Sequence, residues 1–267
     1  MSAEYESLCN AIVMARRNGQ TCVVERVALP ADVAQAYAMQ AELVAQWGEP
    51  VVGWKVGRFL GEEEQRFGVN RFVGPIFAGT VEDVTPAVEA IFPAIEGGTS
   101  AFEAEVIAVL AQDLPVGKTD WTAETIGVAI SDWHIGIEVA GCPVPGLGTM
   151  GALPSVAVFG NNLALLVGPA VSEDQVDAIS CETHIDGALA GSARAASLPG
   201  GPKTAVAFAL NQLSAMGVAL KAGTFLSTGA ITGVHAVDIG QSCTADFGPH
   251  GRLTCKVASV GGTAGQG

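Results

Sequence analysis

Positive charge is scarce in this sequence. Thirteen Lys and Arg stand against 27 Asp and Glu in 267 residues, a formal net charge of −14. Nucleic acid and anionic membrane surfaces are held by basic patches that neutralise phosphate, so a general binder of either is excluded. Long uninterrupted apolar runs are also missing. No stretch of about 18 apolar residues lacks a charge or a helix breaker, so no transmembrane helix is expected. The first seventeen residues place acids early and arginines late, the reverse of a secretory leader. The six cysteines (9, 22, 142, 181, 243 and 255) form no CxxC pair and no Cys/His cluster with zinc-ligand spacing. Such dispersed thiols read as reduced and mostly buried, in a cytoplasmic protein. The nucleophile elbow GxSxG is absent, and a hydrolase triad loses its main support. The four histidines (134, 184, 235 and 250) show neither HxH nor HExxH spacing and read as structural. Charged residues are only 15% and hydrophobic residues 49%, which excludes disorder over most of the length.

What is abundant is glycine and proline, 34 and 13 residues, which favours many turns over a helix bundle. The N-terminal part is the exception. Residues 3–19 read as a helix with Leu8, Ile12 and Val13 on one face, ended by Asn18-Gly19. Residues 32–47 read as a second helix, stopped by Gly48-Glu49-Pro50. After Pro50 short β-branched runs recur between glycines and prolines: 51–56, 88–95, 102–110, 135–139, 156–159, 179–185, 224–228, 242–247 and 253–257. Helices are expected over 122–130 and 202–216, the second with Pro202 at its start and Gly217 at its end. The pattern predicts an α+β protein: a helical N-terminal cap (1–50), a β-rich domain (51–260) that carries the candidate site residues, and a flexible tail (261–267).

Chemistry concentrates at few positions. Glu103 and Glu105 lie in Phe102-Glu103-Ala104-Glu105-Val106, an otherwise apolar strand. Strand side chains alternate, so both carboxylates point to one face. There they repel and are costly to desolvate, and a hard divalent cation would resolve both problems. The plainer reading is the polar side of an edge strand. Glu138 lies in a second apolar run and, alone, reads as an exposed or ion-paired residue. Lys55 sits in Gly53-Trp54-Lys55-Val56-Gly57. It reads as a base of lowered pKa, an imine former, an anchor for an anionic substrate, or an ion-paired structural lysine. Gly146-Leu147-Gly148-Thr149-Met150-Gly151 fits GxGxxG, but Pro143 and Pro145 before it and Pro154 after it deny the strand and helix that a dinucleotide site needs.

The order of these pieces resembles the 2-keto-4-pentenoate hydratase / 2-oxohepta-3-ene-1,7-dioate hydratase / 4-oxalocrotonate decarboxylase family of the fumarylacetoacetate hydrolase superfamily, from about residue 8 to 258. Ala36-Tyr37-Ala38-Met39-Gln40 and the Lys55 segment look like its AY-x-x-Q and G-[WYR]-K-[IV]-G blocks. Phe102-Glu103-Ala104-Glu105 looks like its E-x-E metal strand, and Gln112-Asp113-Leu114-Pro115 like the K-D-L-P that follows. Ile137-Glu138-Val139 is similar to the strand with the third carboxylate. Leu220-Lys221-Ala222-Gly223, Ser227-Thr228-Gly229-Ala230 and Ala245-Asp246-Phe247-Gly248 are similar to its C-terminal blocks. The resemblance implies a mixed β-roll with a helical N-terminal segment and Mg²⁺ or Mn²⁺ held by Glu103, Glu105 and Glu138. A homo-oligomer would be usual, and members of the family can associate with a pathway enzyme.

The implied activity is a hydratase adding water to a 2-hydroxy-2,4-dienoate or 2-oxo-alkenoate through a metal-stabilised enolate, in aromatic or steroid catabolism. The alternative on the same scaffold is a 2-oxo acid decarboxylase. An acylpyruvate hydrolase is disfavoured, because no His precedes His134 to activate water. A non-catalytic partner subunit is a further alternative. Lys55, Thr228 and Asn162 are the expected catalytic groups. The sequence departs from the family in three places. The aspartate of its P-D-[FY]-G turn has no counterpart in Phe72-Val73-Gly74-Pro75-Ile76-Phe77, and its serine in L-T-G-S is Ala230. Its D-N-x-S loop becomes Phe159-Gly160-Asn161-Asn162.

Overall fold

The structure, a computed structural model, describes residues 3–24 and 29–260. The expected tail, 261–267, lies outside the described residues. Helix α1 (Ala3–Arg17) carries Arg16 and Arg17 in its last turn, where cations complement the helix dipole. Helix α2 (Val33–Trp47) is capped by Asp32, whose Oδ1 accepts the Gln35 N–H at 2.8 Å. It ends at Gly48, whose φ of 76° turns its N–H back to the Val44 carbonyl.

The rest is strand-rich: β1 (Val51–Arg58), α3 (Glu62–Phe67), β2 (Arg71–Phe77), β3 (Val81–Asp83), β4 (Ala90–Ala94), β5 (Thr99–Leu110), β6 (Ile130–Cys142), α4 (Ala152–Ala157), β7 (Asn162–Val171), β8 (Ser180–Ile185), β9 (Ala188–Arg194), α5 (Gly201–Ala215), β10 (Phe225–Ser227), β11 (His235–Ala236), β12 (Ser242–Asp246) and β13 (Arg252–Ser259). One sheet has the order β2-β1-β10-β5-β6-β7-β3, with β11 also pairing β5; the other runs β4-β13-β12-β8-β9. The α+β class expected from the sequence is the one observed. No helix among the described residues is long and apolar enough to cross a membrane.

The antiparallel pair β5–β6 is the spine of the larger sheet, with Glu103 directly opposite Glu138. Both strands are buried along most of their length, so they read as near-continuous apolar runs. A large hydrophobic cluster joins them to α5 and the second sheet. A second cluster joins α1 and α2 to Phe59, Phe72, Phe77 and Phe159. The Arg16 guanidinium is buried within it, stacked near Trp47, Phe77 and Phe159 at 5.0, 5.5 and 4.7 Å.

Two expected elements are corrected. Residues 156–159 were expected as a strand, but they close α4 and enter a 3-10 turn at Phe159–Asn161. Burial of Leu153, Pro154, Val156 and Ala157 on one short helix outweighs the β-branched composition. The expected helix at 122–130 is a turn followed by a 3-10 segment, Ile126–Ala129, leading into β6. Gly127 and Val128 give it little helix propensity. Strand β2 was missed because Gly74-Pro75 suggests a turn. It lies at the sheet edge, where a proline is tolerated because its missing N–H need not break a ladder.

Gly74 and Gly160 let β2 lie directly on the turn before β7. A Cβ on Gly74 would fall inside the van der Waals radius of the Gly160 Cα, which is backbone and has no rotamer to yield. Gly74→Ala is therefore expected to destabilise the protein by about 1–3 kcal/mol through overpacking. Urea unfolding monitored by tryptophan fluorescence checks this; an unchanged midpoint would show that the contact is dispensable.

Candidate active site

The strand order β1-β10-β5-β6 brings four chemistry-bearing segments side by side. Lys55 on β1 is level with Ser227 on β10. Ser227 is level with Ile107, one residue pair along β5 from Glu105, and Glu103 faces Glu138. The carboxylates of Glu103, Glu105 and Glu138 thus converge, with one oxygen of each within 4.8 Å of the others. All three are buried, Glu105 and Glu138 completely. The edge-strand reading of Glu103 and Glu105 and the exposed reading of Glu138 are both excluded by this placement.

Each carboxylate has its own support. Glu105 Oε2 accepts the Ser227 hydroxyl at 2.5 Å and the Gly229 N–H at 2.8 Å. Gly229 has φ of 109°, a backbone that a side chain disfavours, and this turn aims its N–H at the carboxylate. Glu138 Oε1 accepts the Asn162 amide at 3.1 Å. The Lys55 ammonium lies 2.5 Å from Glu138 Oε2 and 4.0 Å from Glu103 Oε2. One acceptor remains: Glu105 Oε1 accepts no hydrogen bond among the described residues, whereas Glu138 Oε2 is ion-paired with the Lys55 ammonium. Buried carboxylate oxygens without donors are costly, and oxygen-only donors of this kind suit a hard divalent cation. The residues present therefore fit Mg²⁺ or Mn²⁺.

Protonation follows from this environment. Burial pushes the Glu103 carboxyl up to about 7; the Lys55 charge opposes the rise and Glu138 adds to it. Burial, followed by the charges of Glu138 and Glu103, raises Glu105 well above the ordinary range. Burial alone would lower the Lys55 ammonium, but Glu103, Glu138 and Glu105 together raise it above its ordinary value. Lys55 is thus held protonated. Of its sequence readings, the ion-paired one is what the structure shows, with Glu138 and Glu103 as the partners.

A cavity of about 550 Å³ opens over this cluster. Lys55, Glu103, Thr228, Asn161, Arg71 and Leu198 are among its walls. Thr228 donates its hydroxyl to the Val106 carbonyl at 2.8 Å, leaving oxygen lone pairs as its remaining capacity. Asn162 is fully buried and does not line the cavity. Its amide holds Glu138 and the Ala164 carbonyl, and its own carbonyl takes Arg16 Nη1 at 2.7 Å. It positions a carboxylate rather than touching a ligand. Ser227, the Gly229 N–H, Asn161 and Arg71 were not singled out from the sequence. Alternation would have been a poor guide to Ser227, because the Ser227-Thr228-Gly229 segment leaves β10 and turns. A more open hollow of about 540 Å³ is lined by Glu6, Ser7, Asn10, Glu42 and Gln46 and offers no comparable cluster.

No protein-family model matches the chain. Solved structures do. One is 4-oxalocrotonate decarboxylase from Pseudomonas putida G7 complexed with magnesium and adipate, with a TM-score of 0.80 and 21% identity over 96% of this chain and 98% of that one. The chain has the 4-oxalocrotonate decarboxylase fold. The same enzyme complexed with calcium and acetate matches at TM-score 0.77 and 20% identity, with the same coverage, 96% and 98%. Fumarylpyruvate hydrolase from Pseudomonas aeruginosa, in complex with Mn²⁺ and pyruvate, matches at TM-score 0.57 and 18% identity, over 79% of this chain and 91% of that one. The mixed α+β fold implied by the sequence resemblance is therefore the fold observed.

The raised Glu103 carboxyl sets a sign for metal-free stability. Between its ordinary value, 4.5, and about 7 the folded chain holds a proton that the unfolded chain releases. This contribution is complete below the ordinary value and is lost as pH rises through 7. The melting temperature of metal-free protein is expected to fall from about pH 5.5 to about pH 8, and Mg²⁺ to raise it more at the higher pH, because bound cation needs ionised ligands. Thermal scans with and without Mg²⁺ check both; equal Mg²⁺ stabilisation at the two pH values would contradict the carboxylates as its ligands.

Proposed function

We propose that the protein is a divalent-metal-dependent lyase of the 2-keto-4-pentenoate hydratase type, hydrating a 2-hydroxy-2,4-dienoate or 2-oxo-alkenoate in aromatic or steroid catabolism. The observation that carries the proposal is the buried triad of Glu103, Glu105 and Glu138 with the Lys55 ammonium against it, at the floor of a cavity sized for a small acid. The sequence resemblance and the fold shared with enzymes solved with Mg²⁺ and Mn²⁺ support it. A cytoplasmic homo-oligomer, with Glu103, Glu105 and Glu138 as metal ligands, belongs to the same reading.

A divalent cation on the triad would supply a Lewis acid for the 2-oxo group of the substrate. The chain's own residues supply the rest. Ser227 and Gly229 fix Glu105, and Asn162 fixes Glu138, so the donor set is oriented before any ligand arrives. Three carboxylates with one divalent ion sum to −1, and the Lys55 charge brings the cluster to neutrality. That neutrality lets an anionic acid approach. The Lys55 Nζ, held protonated in the cavity wall, is placed to donate to a substrate oxygen and to pass a proton during ketonisation. Thr228 Oγ1 accepts rather than donates towards the cavity.

A second reading, decarboxylation of a 2-oxo acid, is favoured by the likeness to 4-oxalocrotonate decarboxylase. Acylpyruvate hydrolysis is less favoured, since no His lines the cavity among the described residues.

With Mg²⁺, the protein is expected to consume 2-hydroxypenta-2,4-dienoate and form 4-hydroxy-2-oxopentanoate, followed by loss of the dienol absorbance and by product chromatography. Glu105→Gln is expected to lower the rate by about 100-fold or more while the protein stays folded by circular dichroism. Carbon dioxide release from 2-oxohex-3-enedioate in place of hydration would move the assignment to the decarboxylase. Metal-independent turnover, or a fully active Glu105→Gln, would overturn the metal reading altogether.

A further inference from the structure

Two arginines stand in the wall of the cavity that holds Lys55 and Glu103, and the mechanism above uses neither. Arg58 ends β1, Arg71 begins β2, and the two are directly paired across the antiparallel ladder. Like charges in such a pair repel and weaken the sheet. Arg71 is also buried, at 7% exposure, where an uncompensated cation is costly. Burial first, and then the Arg58 charge, lowers the Arg71 pKa; only Glu64 opposes this. Neither arginine makes an ion pair among the described residues. Two acids share the wall: Glu103 belongs to the carboxylate triad beside Lys55, and Glu63 is engaged with the Ala152 N–H at 2.9 Å. Arg71 is held rather than loose: Nη2 donates to the Pro199 carbonyl, and Nη1 lies 3.4 Å from Asn70 Oδ1. The arrangement is a fixed guanidinium beside a free one, with donors left over and no anion between them.

We infer that Arg58 and Arg71 form a second anion subsite, which takes a carboxylate at the far end of the substrate. Lys55, Arg58 and Arg71 line one cavity of about 550 Å³, which leaves room for an extended acid to engage Lys55 and the arginine pair together. Guanidinium pairs suit carboxylates because their N–H donors match the two oxygens. The subsite deepens the lyase reading and rests on it. It selects a 2-oxo dicarboxylic acid as substrate class. It also separates the two lyase readings. A guanidinium pair stabilises a carboxylate that stays charged, and it opposes loss of that group as neutral carbon dioxide. The distal carboxylate is therefore one retained in the product, as in hydration.

Two measurements test this. In the first, binding of 2-oxoheptanedioate and 2-oxoheptanoate is compared by calorimetry in the presence of Mg²⁺. The two acids differ only in the terminal carboxylate, and neither has a double bond to hydrate. The diacid is expected to bind at least about tenfold tighter. Arg58→Gln, at an exposed position, is expected to abolish that difference. Equal binding of the two acids, or a preference that survives in Arg58→Gln, would overturn the subsite. In the second, kcat/KM is measured for 2-oxohept-3-enedioate and for 2-hydroxypenta-2,4-dienoate. The ratio of the first to the second is expected to fall about tenfold in Arg58→Gln, mainly through KM. An unchanged ratio would overturn the subsite. Loss of turnover of both substrates in the wild-type protein, with the calorimetric preference intact, would instead overturn the lyase reading and leave the anion subsite standing.

Discussion

Three carboxylates held within 4.8 Å of one another inside an apolar hairpin are the constraint around which the rest of this protein is arranged. Such a cluster is unfavourable on two counts, desolvation and mutual repulsion. The fold compensates on every side. Lys55 brings a positive charge from β1, Ser227 and Gly229 bring donors from the end of β10, and Asn162 brings an amide from the start of β7. These groups come from three separate stretches of sequence. Only the strand order of the larger sheet makes them neighbours. What the donors leave uncompensated, notably Glu105 Oε1, is the capacity that a divalent cation would use.

The N-terminal helices take part in this at one remove. Arg16, at the end of α1, donates to the carbonyls of Asn162 and Leu163 from inside a ring of aromatic side chains. Gln40 of α2 donates to the carbonyls of Val73 and Val156, tying β2 to α4. The Tyr37 hydroxyl oxygen accepts the Val73 N–H at 3.1 Å, next to Gly74. The first two helices therefore hold together the β2 edge and the turn that presents Asn161 and Asn162. Phe159, Gly160 and Asn161 all have positive φ, between 54° and 66°. Two of these three are not glycine, so the turn is strained and depends on the helices packed against it.

How much of this was legible in the sequence depends on whether local pattern or long-range placement decides the matter. The Glu103/Glu105 pair was visible because two charges in an apolar strand break a strong local rule, and Lys55 for the same reason. Helices α1, α2 and α5 were visible through their caps and stops. Strand β2 was hidden by Gly74-Pro75, and 156–159 looked like a strand because composition cannot report that a single helical turn buries the same side chains better. Thr228 was singled out, yet its neighbour Ser227 is the residue that holds Glu105. No periodicity tells which hydroxyl of adjacent Ser and Thr faces a given carboxylate when the strand ends between them. Asn162, expected among the catalytic groups, is buried and donates its amide to Glu138, a placement that no local pattern reports. Arg58 and Arg71 are unremarkable in sequence, thirteen residues apart, and only the antiparallel register brings them opposite each other.

That register also bears on how a chain of net charge −14 could take the anionic substrate proposed for it. Net charge governs the field at long range, but salt screens it within about 8–10 Å of the surface. Inside a cavity the nearest groups decide. Here three of the thirteen basic side chains, Lys55, Arg58 and Arg71, line one cavity. Only Glu63 and Glu103 oppose them in the wall; Glu63 is engaged by a backbone N–H, and Glu103 would be neutralised in part by a bound cation. The acidic surface and the cationic cavity are therefore compatible. The first repels polyanions, and the second gives the proposed small acid both Lys55 and the arginine pair as counter-charges.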